Sequence, residues 1–169
     1  MQLSDKSKLF LTVINSNKGI IYKVANAYCK NNEARKDLVQ EIIVQLWKSF
    51  ENYSDQYKHS TWIFRIALNV AISFYRKENS RKTISNPLID TIHEFADTSP
   101  TNETEKNIGI LHHFISELKE LDKALMLLYL EEKSYKEIAE IIGITETNVA
   151  TKIGRIKTKL KQKFLNSNS

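Results

Sequence analysis

The sequence predicts an all-α protein: two small helical domains joined by a flexible acidic linker, the C-terminal one a winged-helix-like helix-turn-helix unit of three to four helices. Three observations predict it. Helix breakers are scarce, Gly 4 and Pro 2 in 169 residues, while Leu, Ile, Lys and Glu are abundant. Apolar residues recur three and four apart along most of the chain. Both prolines, Pro87 and Pro100, fall in one stretch from Thr83 to Glu105 that carries Asp90, Glu94, Asp97, Glu103 and Glu105 and no Lys or Arg. Breakers, composition and charge sign change there together, which marks a linker. The expected units are residues 1–80, a linker at 81–105, and 106–165.

Four helices are expected in the first unit. Leu9, Val13 and Ile14 set the pattern of the first, Leu3 to about Ser16. Ile21, Val24, Ala25 and Tyr28 set the second, Gly19 to about Lys30. An Asn31-Asn32 cap opens the third, about Glu33 to Phe50, whose apolar stripe runs from Leu38 to Phe50. Glu33, Asp37 and Glu41 share one acidic edge of that helix at steps of four. The fourth, near Ser60 to Lys77, buries Ile63, Ile66, Ala67, Val70 and Phe74. Arg65, Asn69, Ser73 and Arg76 or Lys77 form a polar stripe beside that face. Between helices three and four, the polar loop ENYSDQYKHS holds Tyr53, Tyr57 and His59, with Trp62 just beyond. Local composition fits two readings equally: stacking on unpaired bases, or cover for the domain edge.

In the second unit, Ile110, Leu111, Phe114, Ile115 and Leu118 pattern one helix, and Asp122 is the expected cap of the next. The stretch SYKEIAEIIGITETNVATKIGRIKTKL then reads as a helix-turn-helix at about 134–157. Ile138, Ile141 and Ile142 face inward, Gly143 supplies a left-handed exit, Ile144 plugs the turn and Thr145 caps the second helix. Val149, Ile153, Ile156 and Leu160 form its buried stripe. Thr147, Asn148, Thr151, Lys152 and Arg155 are expected on the outer face, where Asn suits adenine and Lys or Arg suits guanine or phosphate. From Thr147 onward this helix has no acid and carries Lys152, Arg155, Lys157, Lys159, Lys161 and Lys163.

The bulk numbers bound the rest. A net charge of +5 is compatible with a nucleic-acid partner. One cysteine, Cys29, excludes an internal disulfide and fits a reducing compartment; its place at the end of an apolar pattern suits a small core residue. The N-terminus lacks a signal-peptide pattern, and the longest apolar run, Ala124 to Leu130, is too short to span a bilayer. A cytoplasmic location is expected. Adjacent His112 and His113 point about 100° apart on a helix and suit no metal site. No nucleophile motif, paired carboxylates at a glycine-rich loop or metal set is visible, so neither catalysis, metal, cofactor nor small-molecule substrate is expected.

Three segments together resemble the bacterial sigma factors of RNA polymerase, in the small extracytoplasmic-function (ECF, group IV) class of the sigma-70 family. DLVQEIIVQLW (Asp37 to Trp47) resembles their polymerase-clamp-binding helix, STWIFRIALNVAISFYRK (Ser60 to Lys77) their promoter-melting, minus-ten-reading helix, and the helix-turn-helix their minus-thirty-five reader. The resemblance covers about 150 residues with the segments in register. It implies a non-enzymatic protein that binds core RNA polymerase and directs it to promoter DNA. Under it, Asp37, Gln40 and Glu41 meet the polymerase clamp. Tyr53, Tyr57, His59 and Trp62 belong with the pocket for a flipped minus-ten base, which decides between the two readings of the loop. Asn69 reads beside them, and Arg65, Arg76 and Lys77 hold phosphates. The linker threads the polymerase cleft. With no further domain after Ser169, regulation is expected from a separate anti-sigma factor, membrane-tethered in many members. The recognition helix departs from the family pattern: Thr147-Asn148-Val149-Ala150-Thr151-Lys152 stands where many relatives carry Gly-Thr-Val-Lys-Ser-Arg, so the promoter sequence does not carry over. The rival reading is a stand-alone helix-turn-helix regulator, which has no use for an acidic-edged helix or an aromatic loop.

Overall fold

The computed structural model describes residues 3–53, 56–82 and 103–167. They form seven α-helices and one 3-10 turn, with no strand among them: α1 (Leu3–Tyr28), α2 (Asn32–Ser49), the turn Phe50–Asn52, α3 (His59–Lys82), α4 (Glu103–Ser116), α5 (Glu120–Leu130), α6 (Tyr135–Ile142) and α7 (Glu146–Ser167). Residues 83–102, the body of the expected linker with Asp90, Glu94 and Asp97, lie outside the described residues. At its edges the expectation is corrected. Helix α3 continues through Lys82, and Glu103 and Glu105 occupy the first turn of α4.

The first two expected helices are one. Asn17 bonds through its side chain to the Val13 carbonyl at 2.9 Å, inside the helix. Phe10, Val13 and Ile14 before it and Ile21, Val24 and Ala25 after it bury on the same side. That burial outweighs the helix cost of Gly19, about 1 kcal/mol. Asn31 caps α2 as expected, accepting from the backbone N–H groups of Glu33 and Ala34. Leu38, Ile42 and Leu46 of α2 are fully buried against α1 and α3, each contributing about 1.5–3 kcal/mol. Phe10 closes the bundle end, edge-on to Trp47 at 5.0 Å and to Phe50 at 5.3 Å.

The second unit is α4 to α7. Its core joins Leu125 and Leu128 of α5, Ile138 and Ile141 of α6, and the α7 stripe of Val149, Ile153, Ile156 and Leu160. Phe114 of α4 meets Phe164 of α7 edge-on at 5.3 Å. Asp122 does not cap α5; Lys119 holds the N-cap backbone position without a side-chain bond, and Asp122 lies in the first turn beside Glu120. The capping residue is therefore no guide to where this helix starts. Between α5 and α6 the chain turns through Glu132, at φ 61. The two units touch, with α5 and α6 against α1 and α3.

Candidate nucleic-acid interface

The turn of the helix-turn-helix forms as its residues require. Ser134 caps α6, accepting from the Glu137 backbone N–H at 3.1 Å while its hydroxyl donates to the Glu137 carboxylate at 3.2 Å. The Gly143 and Ile144 N–H groups both donate to the Ala139 carbonyl, and Gly143 sits at φ 84 in the left-handed region. Thr145 Oγ1 then accepts from the Asn148 N–H at 3.1 Å. With Val149, Ile153, Ile156 and Leu160 turned inward, the opposite face of α7 presents Thr147, Asn148, Thr151 and Arg155 to solvent. Lys152 is half-buried at the edge of that face.

The basic run is less uniform than its sequence implies. The Lys157 ammonium lies 4.1 Å from the Tyr129 ring centroid, and a hydrogen bond with the Tyr129 phenol raises its pKa. Lys163 bonds Glu117 at 3.0 Å, and that bond holds the Glu117 carboxyl below its ordinary value. Both lysines thus serve the unit's own packing.

At the start of α3 an aromatic group assembles. The Tyr53 ring lies 5.0 Å from the His59 ring and 5.1 Å from Trp62, which also meets Phe50 at 6.0 Å. The Tyr53 hydroxyl donates to the Tyr57 carbonyl, and the Tyr57 side chain itself is exposed. Arg65 and Asn69 follow on the exposed face of α3, one turn apart. Arg76 and Lys77, expected to act alike, diverge. Lys77 faces a groove of about 660 Å³ between α2 and α3, together with Asp37, Glu41, Asn69 and Ser73. Arg76 turns to the other side and bonds Glu120 of α5 at 3.1 Å.

Asp37, Gln40 and Glu41 are all exposed on α2. The structure adds a residue the apolar stripe concealed. Val44 is 44% exposed and lies seven residues after Asp37, on the same face. Its i+7 spacing from Asp37 was the available signal.

Family comparisons fall on these same surfaces. Sigma-70 region 2 matches residues 13–81, spanning α2, the aromatic loop and α3. Sigma-70 region 4 matches residues 108–160, spanning the helix-turn-helix. The ECF RNA polymerase sigma factor SigM of Bacillus subtilis is 32% identical over 142 residues, covering 83% of this chain and 86% of the relative. The chain belongs to the ECF sigma factors. The sigma-E factor of Haemophilus influenzae is 26% identical, with 97% of this chain and 91% of that protein covered. Among solved structures, CnrH in complex with the cytosolic domain of CnrY matches with a TM-score of 0.67, at 18% identity over 96% of this chain and 91% of that one. The sigma factor RpoE of Bartonella quintana, in complex with the anti-sigma factor NepR, matches at 0.63 and 17% identity, over 95% and 96%. As an ECF sigma factor the protein binds core RNA polymerase and directs it to promoters for transcription initiation. The stand-alone regulator reading gives way, because the match extends through the N-terminal unit that such a regulator would use otherwise. No described helix is long and apolar enough to cross a membrane, and no described group of His, Cys, Asp and Glu has the arrangement of a metal site.

Proposed function

We propose a division of labour among the surfaces of this sigma factor, acting in the cytoplasm without catalysis of its own. The unit of residues 1–80 holds core polymerase and the minus-ten element, and the unit of 106–165 holds the minus-thirty-five element. Asp37, Gln40 and Glu41, with Val44 as an apolar centre, dock on a basic helical surface of the polymerase. Tyr53, Tyr57, His59 and Trp62 capture an unpaired base by stacking, Asn69 reads beside them, and Arg65, Arg76 and Lys77 hold phosphates. Thr147, Asn148, Thr151, Lys152 and Arg155 enter a major groove. A separate anti-sigma protein competes for these surfaces, as the complexed state of both structural neighbours suggests.

The observation that carries the reading is the shared groove. Helix α2 turns Asp37 and Glu41, and α3 turns Asn69, Ser73 and Lys77, toward one concavity. Polymerase seated on α2 is therefore adjacent to DNA opened along α3. Neither contact needs to be strong, since polymerase holds the second at high effective concentration. The test is Asp37→Lys. Core-polymerase binding should weaken at least tenfold while the circular dichroism stays helical; intact binding would remove Asp37 from the docking surface. Run-off transcription on a fragmented genome with purified core polymerase gives the promoter sequence and scores the same variant.

A further inference from the structure

The aromatic group at the start of α3 is tied to the first turns of α1. Tyr53 follows the 3-10 turn Phe50–Asn52 directly and donates its N–H to the Phe50 carbonyl at 3.2 Å. That turn has no side-chain cap, and a single 3-10 turn is weakly held by its own bonds. Two residues of α1 hold it from outside. The Lys6 ammonium donates to the Glu51 carboxylate and lies 4.7 Å from the Trp47 ring centroid. Phe10, one helical turn after Lys6 on the same face, is buried edge-on to Trp47 and Phe50. Phe50 meets Trp62, and Trp62 meets Tyr53, so rings in contact lead from α1 to the aromatic group.

The pair of Lys6 and Glu51 adds direction to that packing. Lys6 holds the Glu51 carboxyl below its ordinary value, first through the hydrogen bond and then through its charge. Glu51 is itself exposed and Lys6 only half-buried, and such a pair contributes little to overall stability. Its effect is local: it fixes the backbone at Glu51, two residues before Tyr53. Both Lys6 and Phe10 precede residue 13, where the sigma-70 region 2 match begins, so the tie comes from outside the matched region.

We propose that Lys6 and Glu51 are positioning residues for capture of the unpaired minus-ten base. The ammonium on α1 sets the angle of the 3-10 turn, the turn sets Tyr53, and Tyr53 closes on the base with Trp62 and His59. The tie rests on the reading of the aromatic group as the base-capturing site.

An abasic scan tests it, with holoenzyme and the minus-ten non-template strand of a promoter obtained by run-off transcription. The readout is the ratio of affinities for the intact strand and for the strand made abasic at its most sensitive position. Wild type should give a ratio of about ten or more, and Tyr53→Ala should bring it to about one. Lys6→Glu and Glu51→Lys should each lower the ratio by about threefold or more, with core-polymerase binding and helix content unchanged. Lys6→Arg keeps both the bond to Glu51 and the cation over Trp47, and should retain the wild-type ratio. A change in phosphate attraction acts on both strands alike and leaves the ratio unmoved, as does a loss of folded protein. Glu51→Lys, at an exposed position, serves where Lys6→Glu fails to fold. Folded Lys6→Glu or Glu51→Lys with the wild-type ratio, or Lys6→Arg as impaired as Lys6→Glu, would overturn the tie while base capture stands. A wild type with no sensitive position, or a ratio that Tyr53→Ala leaves intact, would overturn base capture by the loop and the tie with it, so the two failures are distinct.

Discussion

Replacing Gly143 by Ala isolates the turn that aims α7. An added Cβ at Gly143 meets nothing within 4 Å, so packing contributes no penalty. The cost is local: φ is +84, and a left-handed conformation costs an L-residue about 1–2 kcal/mol. Alanine recovers about 0.4–1 kcal/mol by restricting the unfolded chain. The net is a loss of about 1 kcal/mol, which lowers the melting temperature of a unit this small by about 4–8 °C. Gly19→Ala supplies the control. It also meets nothing within 4 Å, but it sits inside α1, so the same atom added there should stabilise by about 0.5–1 kcal/mol. Differential scanning calorimetry of the full chain, with the transitions of the units resolved, reads both. Equal signs for the two substitutions, or a neutral Gly143→Ala, would refute the argument that conformation rather than space governs the turn.

Three further outcomes are expected. Ser134→Ala removes both bonds of the cap on α6 and should cost the C-terminal unit about 1 kcal/mol by urea denaturation. Glu117→Gln tests the pH dependence. The folded carboxyl lies below its ordinary value of 4.5, chiefly through the hydrogen bond from Lys163. The wild type's advantage should thus be full at neutral pH and close as the pH falls through the folded value, with melting curves across pH as the check. Arg155→Ala should weaken promoter binding by the holoenzyme about tenfold. If Arg155 holds a phosphate, the salt slope falls by about one, and if it reads a base, the loss depends on sequence; titration at several salt concentrations on altered minus-thirty-five elements separates these.

Helices α2, α3 and α7 were legible because each carries an unbroken apolar stripe, and the turn was legible because Gly143 and Thr145 each have one job that few residues do. Helix α1 was not. The run Asn15 to Gly19 has loop composition, and only tertiary burial of Ile14 and Ile21 on either side keeps it helical. The start of α5 was displaced because Asp122 suits a cap in isolation, while the chain enters the helix earlier, at Glu120. In the candidate site, the positions of the aromatic loop and of the acidic α2 edge were legible from residue type and spacing, whereas composition left the loop's role open and only the family resemblance chose it. Charge partners were not. Arg76 read from sequence as part of the polar stripe of α3, and Lys157 and Lys163 as part of the basic run of α7, yet Glu120, Tyr129 and Glu117 engage them from other helices. Helical spacing records which face a side chain occupies and nothing about what the fold brings to that face.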